Sequence, residues 1–384
     1  MKRRDVCIVG GSLAGGTLAC LLASEGFDVA VVERRWPGER KLCAELTAAT
    51  LLDRLVKLAG IGREGMVSAE LDRVVVTAGP RRLERSFTLG KGITADRVAI
   101  EARLLDRATA LGATVLGSEA AVRVAVSDTT ALVETERREV EAEVVVGADG
   151  AASLVARTLL RAWRRDEVGA TRHARLAVPP TSLPDGPSTM RFDLVSEVSG
   201  YGWAVPYGDA IGLGIGGMSG AIGPIFDRML ERIGVAPDVA AAARRGVRGA
   251  PVPSSGPCRG THGTRFLLVG DAAGFVSPAS GEGMSLAVES AVAAASALKL
   301  AFARGRFDAR SMRHHERFWR VAMPDFDALR RFRDALAGDA ALRWLDACGS
   351  DLERLALLAP LVGPPDTGPA ASQILERLRA AHTS

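Results

Sequence analysis

The run Asp5-Val-Cys-Ile-Val-Gly10 passes into Gly11-Ser-Leu-Ala-Gly15, then an apolar helical pattern from Thr17 to Glu25, Gly26, and Asp28-Val-Ala-Val-Val-Glu33. The first and last pieces are short β-branched runs, the pattern of buried parallel strands. Apolar spacing between them predicts a helix closed by a glycine at its C-terminal end. Together they form a βαβ unit whose glycine-rich first turn is the fingerprint of dinucleotide binding. Gly10 permits the tight turn, Gly15 lets the helix approach the strand, and the N–H groups at the helix start receive a pyrophosphate. The second glycine position holds Ser12, which is small and could donate its hydroxyl to a phosphate oxygen. Gly10, Ser12, Ala14 and Gly15 are therefore candidate cofactor contacts. Glu33, about 20 residues on in the usual spacing, is placed for adenosine ribose hydroxyls. A carboxylate there disfavours a 2′-phosphate, which selects FAD or NAD over NADP.

Met1-Lys-Arg-Arg ahead of this apolar stretch imitates a secretory signal. The interior glycines and the acid ending the second strand argue against one. The chain has 384 residues, 47% hydrophobic and 24% charged, enough for a large core and two or three packed units. Its net charge of +4 comes from scattered arginines rather than a basic element, so no nucleic-acid partner is expected. The five cysteines lack paired or metal-ligand spacing, which fits a reducing cytoplasm. The adjacent His314 and His315 face different directions on a helix, and no metal site is expected. His173 and His262 belong to no motif, and neither is read as an acid or base. The apolar run Ser285 to Phe302 contains Glu289 and Lys299, so it reads as a buried helix, with membrane contact at most peripheral.

Further along, a polar loop precedes Leu42-Cys-Ala-Glu45, and a helix is expected through about Leu58. Val67 to Leu89 alternates like strands around Gly79-Pro80. Ile93 to Arg97 opens a helix from Val98 to Leu111. Strands follow at 114–116, 121–126, 131–135 and 143–146, the last running into Gly147-Ala-Asp-Gly150. From Ala174 to Pro257, proline- and glycine-separated segments suggest an antiparallel sheet covering a pocket. A helix from Ile225 to Ile233 is expected on its far side or edge. Within this region Ala210 to Gly217 is too glycine-rich for an ordinary strand interior. Arg265 to Val269 is again a buried strand, ending at Gly270-Asp271, with a long helix from Ser285 and amphipathic helices beyond Gly305.

Asp149-Gly150 and Gly270-Asp271 each follow an aliphatic strand, where an open α/β sheet binds ligands. Asp271 offers a carboxylate for polyol hydroxyls, and the helix start near Gly283-Met284 offers a dipole for negative charge on a reduced flavin ring. Gly10 to Gly15, Gly147-Ala-Asp-Gly150 with Ser153 and Val155, and Leu268-Val-Gly-Asp-Ala-Ala-Gly274 resemble the three FAD motifs of the p-hydroxybenzoate-hydroxylase-type flavoproteins. The resemblance implies that Arg97 contacts FAD and that the strand at Ala121-Val122 meets the adenine through its backbone. Lys41-Leu-Cys43-Ala-Glu45, Tyr201-Gly-Trp203-Ala-Val-Pro206 and Gly281-Glu-Gly283 are similar to motifs of the geranylgeranyl reductase branch. Glu45 stands where that branch has glycine, and Val205 where it has phenylalanine.

The expectation is α/β: a Rossmann-type FAD-binding domain in three pieces (1–66, 91–160, 258–305), an inserted antiparallel β-sheet substrate domain (67–90, 161–257) and a helical C-terminal segment (306–384). The expected cofactor contacts are Gly10, Ser12, Ala14, Gly15, Glu33, Arg97, Val122, Asp149, Asp271, Gly281, Gly283 and Met284. The expected reaction is reduction of a C=C bond in an apolar, prenyl- or polyene-like molecule, with NADH, NADPH or a reduced ferredoxin-like protein as electron donor. Cys43, Tyr201 and Trp203 are its candidate residues. Cys43 is catalytic or merely buried, since no His or Lys beside it in sequence forms a thiolate, and Trp203 is cavity wall or plain core. Two other readings stay open: hydroxylation of an aromatic or polyketide-type molecule, and FAD binding without turnover as a redox sensor. No histidine is expected near Tyr201 and Trp203, which disfavours phenol activation. Halogenation is not expected either, since no lysine lies between Lys57 and Lys91, where the resembling halogenases carry theirs.

Overall fold

A computed structural model describes residues 3–335 except 36–38, 87, 89 and 219–221, together with 343, 345 and 346. The opening run folds as the strand Arg4–Val9, the helix Leu13–Ala23 and the strand Val29–Glu33. Both strands join an eight-stranded sheet through parallel pairing, Val6 opposite Val29 and Val144. Thr114–Gly117 and Phe266–Leu268 extend this parallel array on either side. Every residue of Val29–Glu33 is buried, as expected of a strand covered on both faces. One face carries the helices Leu13–Ala23, Arg97–Ala110 and Met284–Arg304, which share a core with Ile8, Val31 and Val144. The Met284–Arg304 helix is long and apolar enough to cross a membrane. Here Leu286, Val288, Ala291 and Leu298 lie within the protein core. On the other face Val9, Val32 and Val145 meet Phe275, Trp319 and Phe326.

A second sheet of seven strands runs Arg248–Val252, Gly169–Leu176, Ala210–Gly217, Gly200–Tyr207, Thr189–Val195, Arg73–Ala78 and Arg81–Ser86. It departs from full antiparallel order at one place, where Thr189–Val195 pairs parallel to Arg73–Ala78. Residues from the 67–90 and 161–257 stretches thus share one sheet. The helix Ile222–Ile233 covers one face, packing Phe226, Met229 and Leu230 against Leu213 and Ile215. The other face carries Trp203, Val205 and Tyr207. A helix at Pro237–Gly246, absent from the sequence reading, packs on the same side as Ile222–Ile233.

Three local expectations change. Leu46–Ala48 is a short strand before the helix Thr50–Ala59, and Gly92–Ala95 is its antiparallel partner, so the helix at 97 begins only after Asp96. Asp96 caps it by accepting from the Val98 and Ala99 N–H groups. Ala210–Gly217 is an interior strand, between Gly169–Leu176 and Gly200–Tyr207. Its glycines are explained by large neighbours: a Cβ on Gly214 would stand 2.3 Å from the Trp203 ring, and one on Gly212 2.6 Å from Tyr207. Of the expected C-terminal helices, Ala309–Met312, His314–Ala322 and Phe326–Ala335 are present. The expectations at Cys348, Gly349 and Gly363-Pro-Pro fall outside the described residues.

Candidate active site

A cavity of about 1190 Å³ lies between the two sheets, and residues distant in sequence converge on it. Ser12, Ala14, Arg97, Asp271, Gly281, Gly283 and Met284 line it on the parallel-sheet side together with Cys43, which packs against that sheet's core, and Tyr201 and Trp203 line it on the other. Gly10 and Gly15 lie just behind. Gly10 has φ +102°, and a Cβ there would sit 2.4 Å from the Ala148 carbonyl oxygen. A Cβ on Gly15 would sit 1.8 Å from the Gly10 oxygen. The turn therefore exists only with glycine at both places. Glu33, 7% exposed, accepts from the Gly11 N–H at 2.6 Å and the Arg35 N–H at 2.8 Å. These bonds hold its carboxylate at the end of its strand.

Ser12 is the N-cap of the Leu13–Ala23 helix, yet its side chain accepts nothing from that helix. Its hydroxyl donates to Glu101, and Arg97 Nη2 reaches the same hydroxyl at 2.8 Å. The hydroxyl is thus directed away from the phosphate role the sequence offered it. With no side-chain cap and no acid in the first turn, the helix start stays open for an anion. Arg97 is buried and its Nε has no hydrogen-bond partner among the described residues. Burial alone would lower its pKa, but Glu101, Cys43 and Asp271 together hold it above the usual value. The glycine cradle, open helix start, fixed Glu33 and orphaned Arg97 nitrogen fit a dinucleotide such as FAD.

Asp271 is bound by Lys41 Nζ at 2.7 Å, tying the 41–45 loop to the third motif. Burial would raise its pKa, but Lys41 and Arg97 hold it below the usual carboxylate value. Asp149 has a different occupation: it accepts from Ser153 Oγ at 2.5 Å and the Leu154 N–H at 2.7 Å, bracing the start of the Leu154–Leu159 helix, whose N-cap is Ser153. The cavity lining at that turn comes from Ala148 and Gly150. Val122 stands 53% exposed on its strand and outside the cavity. The part of that segment meeting Glu33 is Glu119, whose N–H donates to the Glu33 carbonyl at 3.1 Å.

The structure also supplies residues the sequence reading passed over. Tyr201 donates its hydroxyl to the Ser280 carbonyl, joining the seven-stranded sheet to the 276–283 loop. Beside it Glu282 lines the cavity; Ser285 N–H reaches its Oε1 at 2.8 Å, while Oε2 is buried without a partner. Burial pushes this carboxyl up to about 7, with Asp271 adding to the shift against the opposing Ser285 bonds. Glu282 sits inside the quoted Gly281-Glu-Gly283 motif, but only its burial marks it. Cys43, with no basic neighbour in sequence, has the Arg97 guanidinium beside its sulfur. Glu45 is 1% exposed with φ +55°, held by Arg40 and Arg175 at 2.8 Å each. Burial raises its pKa against the pull of both arginines. The expectation of no histidine near the Tyr201–Trp203 motif is corrected: His173 Nδ1 accepts from Trp203 Nε1 at 3.2 Å, the two rings stacked. The pairing strand Ala210–Gly217 lies between them, so sequence distance hid it.

A dinucleotide-type βαβ unit facing a mostly antiparallel seven-stranded sheet across this cavity is the arrangement of the flavoprotein class the motifs resemble. The family model described as FAD binding domain matches residues 3–173. Digeranylgeranylglycerophospholipid reductase 2 of Methanopyrus kandleri is 30% identical over 299 residues, 73% of each chain. Menaquinone reductase of Mycolicibacterium smegmatis is 27% identical, covering 75% of this chain and 74% of its own. A crystal structure of a geranylgeranyl bacteriochlorophyll reductase-like protein from Thermoplasma acidophilum superposes with TM-score 0.70 at 21% identity, over 93% of this chain and all of that one. The chain belongs to the geranylgeranyl reductase-like branch of the FAD-dependent oxidoreductases. A probable FAD-dependent monooxygenase from Pseudomonas aeruginosa shares the fold at 22% identity and TM-score 0.67, so architecture alone does not separate reduction from oxygenation.

Loss of the Glu33 carboxylate tests the adenosine end of the site. Glu33→Ala should weaken FAD binding by about 1.5–3 kcal/mol, one charge-assisted hydrogen bond, read by flavin fluorescence during titration of the apoprotein. Unchanged affinity would remove Glu33 from the site.

Proposed function

We propose that this protein reduces carbon–carbon double bonds of an apolar, prenylated substrate. The observation that carries the reading is the cavity itself, with Tyr201 and Trp203 on its wall and the buried, partnerless carboxyl oxygen of Glu282 beside Tyr201. The names of the relatives support the same chemistry. FAD, when bound and reduced by NADH, NADPH or a ferredoxin-like protein, supplies the hydride. The chain's own residues do the rest. Gly10, Gly15, Glu33 and the open helix start bind the nucleotide half, Arg97 and Asp271 with Lys41 fix the polyol region, and Trp203 orients the chain-like substrate. Glu282 holds a proton for the second carbon of the bond, since a carboxyl kept neutral near pH 7 is a suitable general acid. Cys43, against Arg97, is placed to shape the same corner.

The test is reoxidation of the reduced, FAD-loaded protein by a prenyl alkene with oxygen excluded, followed by flavin absorbance and by product mass. Two hydrogens should be gained. Trp203→Ala should slow this step at least about tenfold while FAD stays bound, since removing the aromatic wall forfeits on the order of 1.4 kcal/mol of contact. Consumption of substrate only with oxygen, with gain of one oxygen atom, would establish the hydroxylase reading instead. Failure of every donor to reduce the flavin would favour a non-catalytic FAD-binding sensor.

A further inference from the structure

All seven strands of the second sheet contribute to the wall of the cavity. Pro251 stands on one edge strand, Arg248–Val252, and Arg85 on the other, Arg81–Ser86, and both are exposed. Between them Thr171, Gly216, Tyr201, Phe192 and Val74 line the cavity, one from each intervening strand. Neighbouring strands lie about 4.8 Å apart, so the six spacings of this order make a lane of roughly 29 Å. Gly216 pairs with Thr171 on one side and Tyr201 on the other, and keeps the lane open between them. A Cβ there would stand 3.1 Å from Thr171 Cγ2 and 3.5 Å from the Trp203 ring.

The reacting centre falls at the middle of this lane. Gly200–Tyr207 is the fourth strand from either edge, and its Tyr201 is the residue bonded to the Ser280 carbonyl. Glu282, two residues further on, therefore lines the cavity beside the central strand, three spacings or about 14 Å from each edge. The polar handles of that strand are already taken, the Tyr201 hydroxyl by Ser280 and Trp203 Nε1 by His173 Nδ1. Met190, Phe192 and Leu194 on the adjoining strand present apolar side chains. The two ends resemble each other. Arg248, opposite His173, and Arg85, opposite Val74, are both exposed and without an ion pair among the described residues. Neither end is singled out as a head-group pocket.

We infer that the cavity is a lane open at both ends, which takes a linear polyisoprenoid by its middle. The two ends of the chain leave at opposite edges of the sheet, and the bond placed at Glu282 is internal to the chain. Recognition comes from the length and shape of the chain rather than from a head group. This rests on the reduction reading above and adds which bond is reduced. One carbon of an internal double bond takes the hydride from reduced FAD, and the other takes the Glu282 proton.

The test uses the FAD-loaded protein. Binding to the oxidised form is read by flavin absorbance and tryptophan fluorescence, with geraniol, farnesol, geranylgeraniol and the hydrocarbon squalene delivered from one cyclodextrin. Geranylgeraniol should bind at least about tenfold tighter than geraniol, because more apolar surface leaves water. Squalene, which has no head group, should bind at least as tightly as geranylgeraniol. Two further probes carry a naphthyl ether at the hydroxyl end or at the tail end of geranylgeraniol, and both should bind as well as the parent. Gly216→Leu, which puts a side chain into the lane, should weaken squalene and geranylgeraniol about tenfold and geraniol less, and Gly216→Ala should give the same order more weakly. Retained flavin colour in each variant certifies folding. With the reduced protein and squalene under exclusion of oxygen, fragment masses should place the two added hydrogens at an internal double bond. Affinity independent of chain length, loss of binding with the tail-end ether alone, or an equal loss for every probe in Gly216→Leu would overturn the inference. Length-dependent binding that tolerates either ether, without hydrogen gain in the anaerobic assay, would keep the lane and sink the reductase reading. Hydrogen gain confined to a terminal double bond would do the reverse.

Discussion

Glu282→Gln should slow alkene-dependent reoxidation of the reduced protein by about a hundredfold to ten-thousandfold, the usual contribution of a positioned general acid. Flavin reduction and FAD affinity should stay near wild type, since the glutamine can still accept from Ser285 through its amide oxygen. The pH profile gives the sign. Burial raises the Glu282 pKa to about 7, so the proton is present below that value and lost above it. Wild-type reoxidation should fall as pH rises through about 7, and the variant should lack this limb. Stability follows the same linkage: between the ordinary carboxylate value and about 7 the native state holds a proton the unfolded chain has released. Folding free energy therefore weakens as pH rises through that window, and Glu282→Gln should flatten it. Rapid-mixing absorbance at several pH values, with urea midpoints alongside, checks both. A variant as fast as wild type, with its pH limb intact, would move the acid elsewhere.

Gly15→Ala should yield a colourless, destabilised protein. The added Cβ would lie 1.8 Å from the Gly10 carbonyl oxygen and 3.1 Å from the Ala148 Cβ. Gly10 lies in the turn just past the strand Arg4–Val9, Gly15 in the first turns of the helix Leu13–Ala23, and Ala148 just past the neighbouring strand Glu139–Gly147. The chain must open the strand–helix crossing, at a cost of about 1–3 kcal/mol or more, and the open helix start then leaves its position under the pyrophosphate. Flavin absorbance of the purified protein and its urea midpoint read the two effects separately. Wild-type FAD content would show that the close approach at Gly15 is not what the cofactor requires.

The legible part of this protein is the part written in short-range patterns. Asp5 to Glu33 has period, glycines and terminal acid within one βαβ unit, and folds as that unit. Gly270-Asp271 and Gly281 to Met284 were readable because each closes a strand or opens a helix. Asp149 shows the limit of such reading: a strand-end acid before a helix can also brace that helix's start, and local hydrogen bonds from Ser153 and Leu154 take its carboxylate. Ser12 shows it again, since its hydroxyl bonds Glu101, whose approach depends on how the Arg97–Ala110 helix packs against the first.

Sequence alone determined the nucleotide unit, its acid, the buried long helix and the membership of Cys43, Tyr201 and Trp203 in motif-bearing segments, because propensity, periodicity and turn chemistry act over a few residues. Only tertiary structure decided the chemistry of the cavity. The His173–Trp203 bond spans a strand that pairs with both, Glu45 meets Arg175 through the close approach of a loop to the seven-stranded sheet, and the Glu282 carboxyl is raised to about 7 because packing removes water from it. Register, burial and desolvation are properties of contacts between distant segments, and protonation states follow from them.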